Sequence, residues 1–160
     1  MPVRFPGFNG ATDESTTGSR SRLPRPVTCA GAPPAAVRPW DGMKETKQYS
    51  TTCPLSDLTG PLNMSDDCLY HNVLTPAKTA DENLSGMVFF YGGGFTNVDG
   101  SMPFYNGTTH TLKGVSVVTP NFRLCALGFM ANPQFGNKPP HNASGNYGIM
   151  DQQAALNWVR

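Results

Sequence analysis

Three consecutive glycines, Gly92, Gly93 and Gly94, follow directly on an aromatic run, Phe89, Phe90 and Tyr91. The whole stretch, residues 87–95, reads Met-Val-Phe-Phe-Tyr-Gly-Gly-Gly-Phe. An apolar run bounded by glycine predicts a buried strand over residues 87–90 that ends abruptly. Three glycines suit neither a strand nor a helix. They do offer backbone that another molecule can approach closely, with N–H groups free to point at it. A negatively charged oxygen is the natural guest for such donors. Read alone, a plain flexible turn after a strand explains the glycines equally well.

Three further blocks flank this stretch. Upstream, residues 65–73 read Ser-Asp-Asp-Cys-Leu-Tyr-His-Asn-Val. Downstream, residues 117–129 read Val-Val-Thr-Pro-Asn-Phe-Arg-Leu-Cys-Ala-Leu-Gly-Phe, and residues 145–160 read Gly-Asn-Tyr-Gly-Ile-Met-Asp-Gln-Gln-Ala-Ala-Leu-Asn-Trp-Val-Arg. In this order the four blocks resemble the type-B carboxylesterase/cholinesterase family of α/β-hydrolases. The resemblance runs from about residue 39 to residue 160. It implies an α/β fold, the N-terminal part of an α/β-hydrolase domain, with a mixed, mostly parallel sheet and flanking helices. It also implies a serine carboxylic-ester hydrolase that needs no cofactor, in which Gly93 and Gly94 supply oxyanion-hole donors. The substrate of the completed domain would be a small ester.

The family domain is several times longer than 160 residues, so the resemblance implies a truncated domain. No Gly-x-Ser-x-Gly nucleophile elbow occurs in the sequence. Residues 114–118, Gly-Val-Ser-Val-Val, come near it but lack the second glycine, so Ser116 reads as structural. In the family the elbow follows the Asp-Gln helix, which places it beyond residue 160, with the acidic residue and histidine of the triad further on. The 160 residues alone are therefore expected to be inactive. Two alternatives stand beside the hydrolase reading. One is a non-catalytic cholinesterase-like adhesion or binding protein; the other is an inert partial gene product. Such non-catalytic relatives tend to lose the third glycine, and Gly94 is present here.

Cys53 and Cys68 bracket a polar, turn-rich loop. The family closes a loop at this place with a disulfide, and the resemblance carries that pairing over; four cysteines by themselves allow three pairings. Closing about fifteen residues contributes on the order of 3 kcal/mol in the chain-entropy model. Cholinesterases carry in this loop a tryptophan that faces the choline cation. No aromatic residue stands there in this chain, although Tyr91 is a variant that cholinesterases also show. Cys125 reads as a small buried hydrophobe, and Cys29 has no assigned partner. The three histidines, His71 in a strand expected over residues 69–75 and His110 and His141 in polar segments, sit far from second ligands, so no metal site is expected. The resemblance also implies a structural ion pair between Arg123, after a strand expected over residues 115–119, and Asp151, placed in the first turn of the last helix.

Charge is nearly balanced at +1, which gives no nucleic-acid signal. With 17 glycines and 15 prolines, the chain is loop-rich. Residues 1–38 are polar and proline-punctuated and are expected to be irregular or disordered, with the hydrolase-like part over residues 39–160. No apolar run approaches a membrane span, and residues 1–7 lack the apolar core of a signal peptide. N-glycosylation sequons start at Asn63, Asn83, Asn106 and Asn142. Together with the disulfide they point to a secreted protein or the extracellular face of a membrane. In the last helix, Met150, Ala154 and Trp158 are expected to form an uncovered apolar face. Oligomeric state is not legible.

Overall fold

Val115–Pro120 forms the most deeply buried strand, β5, and the molecule is built outward from it. The computed structural model describes residues 2–3, 19–22, 31–35, 49–56, 63–79, 81–136 and 144–160. Its strands are β1 (Pro2–Val3), β2 (Ser19–Arg22), β3 (Tyr70–Leu74), β4 (Leu84–Val88) and β5. They form one sheet in the order β1-β4-β5-β3-β2. β4 runs parallel to β5, with Met87 opposite Val117 and Val88 opposite Val118. β3 lies antiparallel on the other side of β5, with Val73 opposite Val118. β1 and β2 add antiparallel edges. The sheet is thus mixed with flanking helices, as expected, and its one parallel pairing among the described strands is β4 with β5.

A parallel neighbour needs a crossover, since a tight hairpin joins only antiparallel strands. Here the crossover is residues 89–114, which carry the glycine loop, a short 3₁₀ turn (Pro103–Tyr105) and α1 (Thr108–Thr111). Gly107 lets α1 sit close to β5: a Cβ there would lie 2.8 Å from the Val117 side chain. After β5 come α2 (Cys125–Phe129), α3 (Pro133–Gly136) and the long α4 (Tyr147–Val159). The buried residues of α4, Tyr147, Gly148, Asp151, Ala155 and Val159, recur near every fourth position and so share one face. Gly148 brings α4 against the chain that leaves β5; a Cβ there would stand 2.5 Å from the Arg123 carbonyl oxygen.

Among the described residues, three apolar clusters fill the interior. Val73, Val118 and Val159 join β3, β5 and α4, with Val88 and Trp158 packed against them. Cys53, Cys68 and Leu69 form the second, also covered by Trp158. Tyr91, Phe122 and Leu124 form the third, under the glycine loop. Cys53 and Cys68 are joined by a disulfide.

Several expectations shift. The strand expected over residues 87–90 is β4, Leu84–Val88, and it is only partly buried. It begins at Leu84, Ser85 and Gly86, ahead of the apolar run, because the ladder to β5 needs backbone, not apolar side chains. Phe89 still donates its N–H to the Val118 carbonyl at 2.8 Å, and Phe90 then leaves the sheet to pack edge-on against Phe122. Within residues 1–38, Pro2–Val3 and Ser19–Arg22 are extended and paired at the sheet edges. Trp158 does not lie open: it packs on two clusters, and α4 instead exposes Ile149 and Leu156. His71 on β3 is wholly buried and stacks on the Trp158 ring, with centroids 4.6 Å apart. Burial lowers its pKa to about 3, so its imidazole is neutral.

Candidate active site

The aromatic run ends in a loop whose geometry follows from its glycines. Gly93 has φ 112° and Gly94 φ 61°, values in the left-handed region that glycine adopts without a steric cost. Phe95 (φ 61°) and Val98 (φ 75°) also lie there, which disfavours residues with a Cβ by about 1 kcal/mol or more each. A Cβ on Gly93 would collide with the Asn97 carbonyl, whereas one on Gly94 would meet nothing within 4 Å. Gly93 is thus required by the turn itself. Gly94 faces open space.

The direction of the amides is set by one carbonyl. The Gly93 oxygen accepts from the Thr96 N–H at 3.1 Å, the Asn97 N–H at 3.2 Å and the Thr96 hydroxyl at 3.1 Å. In a trans peptide the N–H of the next residue points opposite to the carbonyl. With the Gly93 oxygen turned toward Thr96 and Asn97, the Gly94 N–H is turned outward. Among the described residues, neither the Gly93 nor the Gly94 N–H meets an acceptor, and both residues are exposed. Free amides of this kind can donate to an anionic oxygen.

Beneath the loop, Tyr91 stacks on Phe122 with centroids 4.7 Å apart and is almost fully buried. Burial pushes its phenol well up, so it stays protonated. Phe95 reaches Phe129 at 4.6 Å. The exit of the loop is held from two other elements. The Thr96 carbonyl accepts from the Ser56 N–H at 3.0 Å, the Ser56 hydroxyl at 3.2 Å and the Cys125 thiol at 3.4 Å. The Cys125 N–H donates to the Phe95 carbonyl at 2.8 Å. Cys125 is therefore half-buried and in contact with the loop, rather than a buried filler. The sequence offers one readable signal for the pin on the Gly93 carbonyl, a threonine three residues after a glycine, whose hydroxyl can return to that glycine's carbonyl.

Arg123 and Asp151 meet in the interior, tying the chain after β5 to α4. Arg123 Nε donates to Asp151 Oδ2 at 2.8 Å, Nη2 donates to Oδ1 at 2.7 Å, and the Arg123 N–H adds a third bond to Oδ2 at 3.0 Å. Nη1 donates to the Ala32 carbonyl at 2.8 Å, and the guanidinium lies 5.3 Å from the centre of the Tyr147 ring. Burial pushes the Asp151 carboxyl up, and the Arg123 donors oppose that. Asp151 sits in the second turn of α4 rather than the first, so Arg123 and not the helix dipole offsets its charge.

The remaining candidates fall as follows. Ser116 is buried in β5, its hydroxyl 2.7 Å from that of Thr75, which leaves it no nucleophilic role. Asn63, Asn83 and Asn106 are exposed. Asn142, Cys29 and His141 lie outside the described residues. His110 is exposed on α1. Among the described residues no cluster of three metal-ligating side chains occurs, and no helix is long and apolar enough to cross a membrane.

The order of these elements is found in known proteins. Residues 32–160 match the model of the carboxylesterase family. A fumonisin B1 esterase of Sphingopyxis macrogoltabida is 38% identical over 132 residues, covering 80% of this chain and 24% of the relative. An acetylcholinesterase of Electrophorus electricus is 35% identical over 142 residues, covering 80% of this chain and 22% of the relative. Among solved structures, a PNB esterase superposes with a TM-score of 0.71 at 30% identity, over 99% of this chain and 34% of that one. The chain thus spans about a quarter of the length of these curated relatives. A strand-to-glycine turn with free amides, set in a mixed sheet and matched by sequence and structure alike, places this chain in the carboxylesterase family.

Proposed function

We propose that this chain is the oxyanion-binding front part of a serine carboxylic-ester hydrolase. The observation that carries the reading is the pinned Gly93 carbonyl, with the Gly94 N–H turned outward beside a free Gly93 N–H. In ester hydrolysis a serine oxygen adds to the acyl carbon, and the carbonyl oxygen becomes an anion. Donors fixed in place beforehand stabilise that anion without having to reorganise, and losing one typically costs roughly 3 kcal/mol of barrier. Gly93 and Gly94 would supply two such donors. On this reading the acyl group arrives over the open face of Gly94, where a Cβ would meet nothing within 4 Å. The nucleophile, its histidine and its acidic partner are supplied, on this reading, by sequence following residue 160. The substrate is a small ester.

The disulfide and the exposed sequons at Asn63, Asn83 and Asn106 support a glycoprotein that is secreted or held on an outer membrane face. The test is to label the full chain with a serine-directed organophosphate and map the adduct by mass spectrometry. A single stoichiometric adduct on a serine within a Gly-x-Ser-x-Gly sequence after residue 160 supports the reading. An adduct on a serine within residues 1–160, or none on a chain that contains such an elbow, contradicts it.

A further inference from the structure

Among the described residues, the loop closed by the Cys53–Cys68 disulfide hydrogen-bonds to the glycine loop through Ser56. That residue stands three positions after Cys53 and is exposed. Its neighbour Leu55 is packed into the Tyr91, Phe122 and Leu124 cluster, and the Leu55 N–H points to the Met64 sulfur at 3.5 Å. The disulfide at Cys53 and the partly buried Leu55, both just before Ser56 in the chain, therefore fix where Ser56 stands. From there its N–H and its hydroxyl both reach the Thr96 carbonyl, at 3.0 and 3.2 Å, and the hydroxyl also lies 3.2 Å from Asn97 Oδ1. A hydroxyl has one proton, so it serves these two acceptors in turn or shares it between them.

The residues that Ser56 holds, Thr96 and Asn97, are the ones that pin the Gly93 carbonyl through their N–H groups and the Thr96 hydroxyl. The peptide between Gly93 and Gly94 is rigid, so fixing its carbonyl fixes its N–H. We propose that Ser56 is a positioning residue for the oxyanion-binding amides, acting through Thr96 and Asn97. It couples the disulfide loop to the glycine loop at a point where backbone strain at Phe95 and Val98 would otherwise favour relaxation. Only its catalytic consequence rests on the ester-hydrolase reading; the mechanical link does not.

The test compares Ser56→Ala, which keeps the N–H and removes the hydroxyl, with Ser56→Thr, which keeps both. In the full chain, amide exchange at Thr96 and Asn97 is expected to quicken roughly three- to tenfold in Ser56→Ala, the size of one net hydrogen bond, and to return in Ser56→Thr. Exchange at Val117 and Val118 in β5 stays as in wild type. For hydrolysis of nitrophenyl acetate, kcat is expected to fall with KM unchanged, and Ser56→Thr to recover it. Unchanged exchange at Thr96 and Asn97 in Ser56→Ala overturns the assignment. So does an equal loss of protection across β5, which would mark general destabilisation. If wild type hydrolyses no ester, the hydrolase reading fails while the exchange measurement still decides the role of Ser56.

Discussion

Arg123 and Asp151 face each other through two parallel hydrogen bonds, Nε to Oδ2 and Nη2 to Oδ1, with 1% and 0% of their side chains exposed. The pair joins two parts of the chain 28 residues apart, the segment leaving β5 and the face of α4. Its energetic weight lies less in the attraction itself than in what is left when one member goes. A buried guanidinium cannot shed its proton and would stand uncompensated.

Asp151→Asn is therefore expected to lower stability by about 3 kcal/mol. Replacing both members together by apolar residues of similar size, Arg123→Met with Asp151→Leu, is expected to cost less than the two single changes added. Urea midpoints at neutral pH measure both. Equal midpoints for wild type and Asp151→Asn would show that the pair carries no weight.

His71 predicts a pH dependence of stability with a definite sign. Burial lowers its folded pKa to about 3 from an ordinary 6.5. The folded state therefore holds it neutral, while the unfolded chain takes up a proton below pH 6.5. The stability tied to its neutral form is complete above pH 6.5 and is lost as the pH falls toward 3, by up to about 1.4 kcal/mol per pH unit. His71→Leu removes this term. Between pH 6.5 and 5, wild type should lose stability relative to His71→Leu, and parallel curves would contradict the assignment.

The strand over residues 115–120 is legible as a short apolar run, and the last helix through its resemblance to the family's Asp-Gln helix. The glycine turn is legible because three glycines exclude both regular forms. The edges are not. Ser19–Arg22 alternates serine and arginine, and pairs with β3 through backbone groups that any sequence carries. The aromatic run at 89–90 drew the expected strand past its true end, because those rings pack beneath the loop rather than along the sheet. His71 reads as a polar strand residue, yet it is buried under Trp158 from a helix far along the sequence, a contact that no local pattern encodes. The Ser56–Thr96 bond hides for the same reason, since its acceptor is a main-chain carbonyl.

Gly93 and Gly94 should differ in how they bear on stability. Gly93→Ala combines φ 112° with a collision against the Asn97 carbonyl, and is expected to cost about 2 kcal/mol or more. Gly94→Ala adds a Cβ in open space at φ 61°, with a cost of about 1 kcal/mol. Thermal or urea unfolding ranks them, and an equal or reversed order would contradict the loop geometry.

The 160 residues produced by themselves are expected to hydrolyse no ester, because Ser116 is engaged inside the sheet and no elbow serine occurs among them. Nitrophenyl acetate assayed beside a denatured control checks this. Saturable turnover above that control would place a nucleophile within these residues.

The central claim is that the amides of Gly93 and Gly94 receive the oxyanion of an ester. Its most direct test is turnover of nitrophenyl acetate by the full chain and its Gly94→Ala variant. The new methyl group occupies the open face of the turn, where the acyl group would arrive. The account predicts that kcat falls, because the methyl group holds the acyl group away from the two N–H donors that the variant keeps, while the variant stays folded. Turnover by Gly94→Ala equal to that of wild type would contradict it.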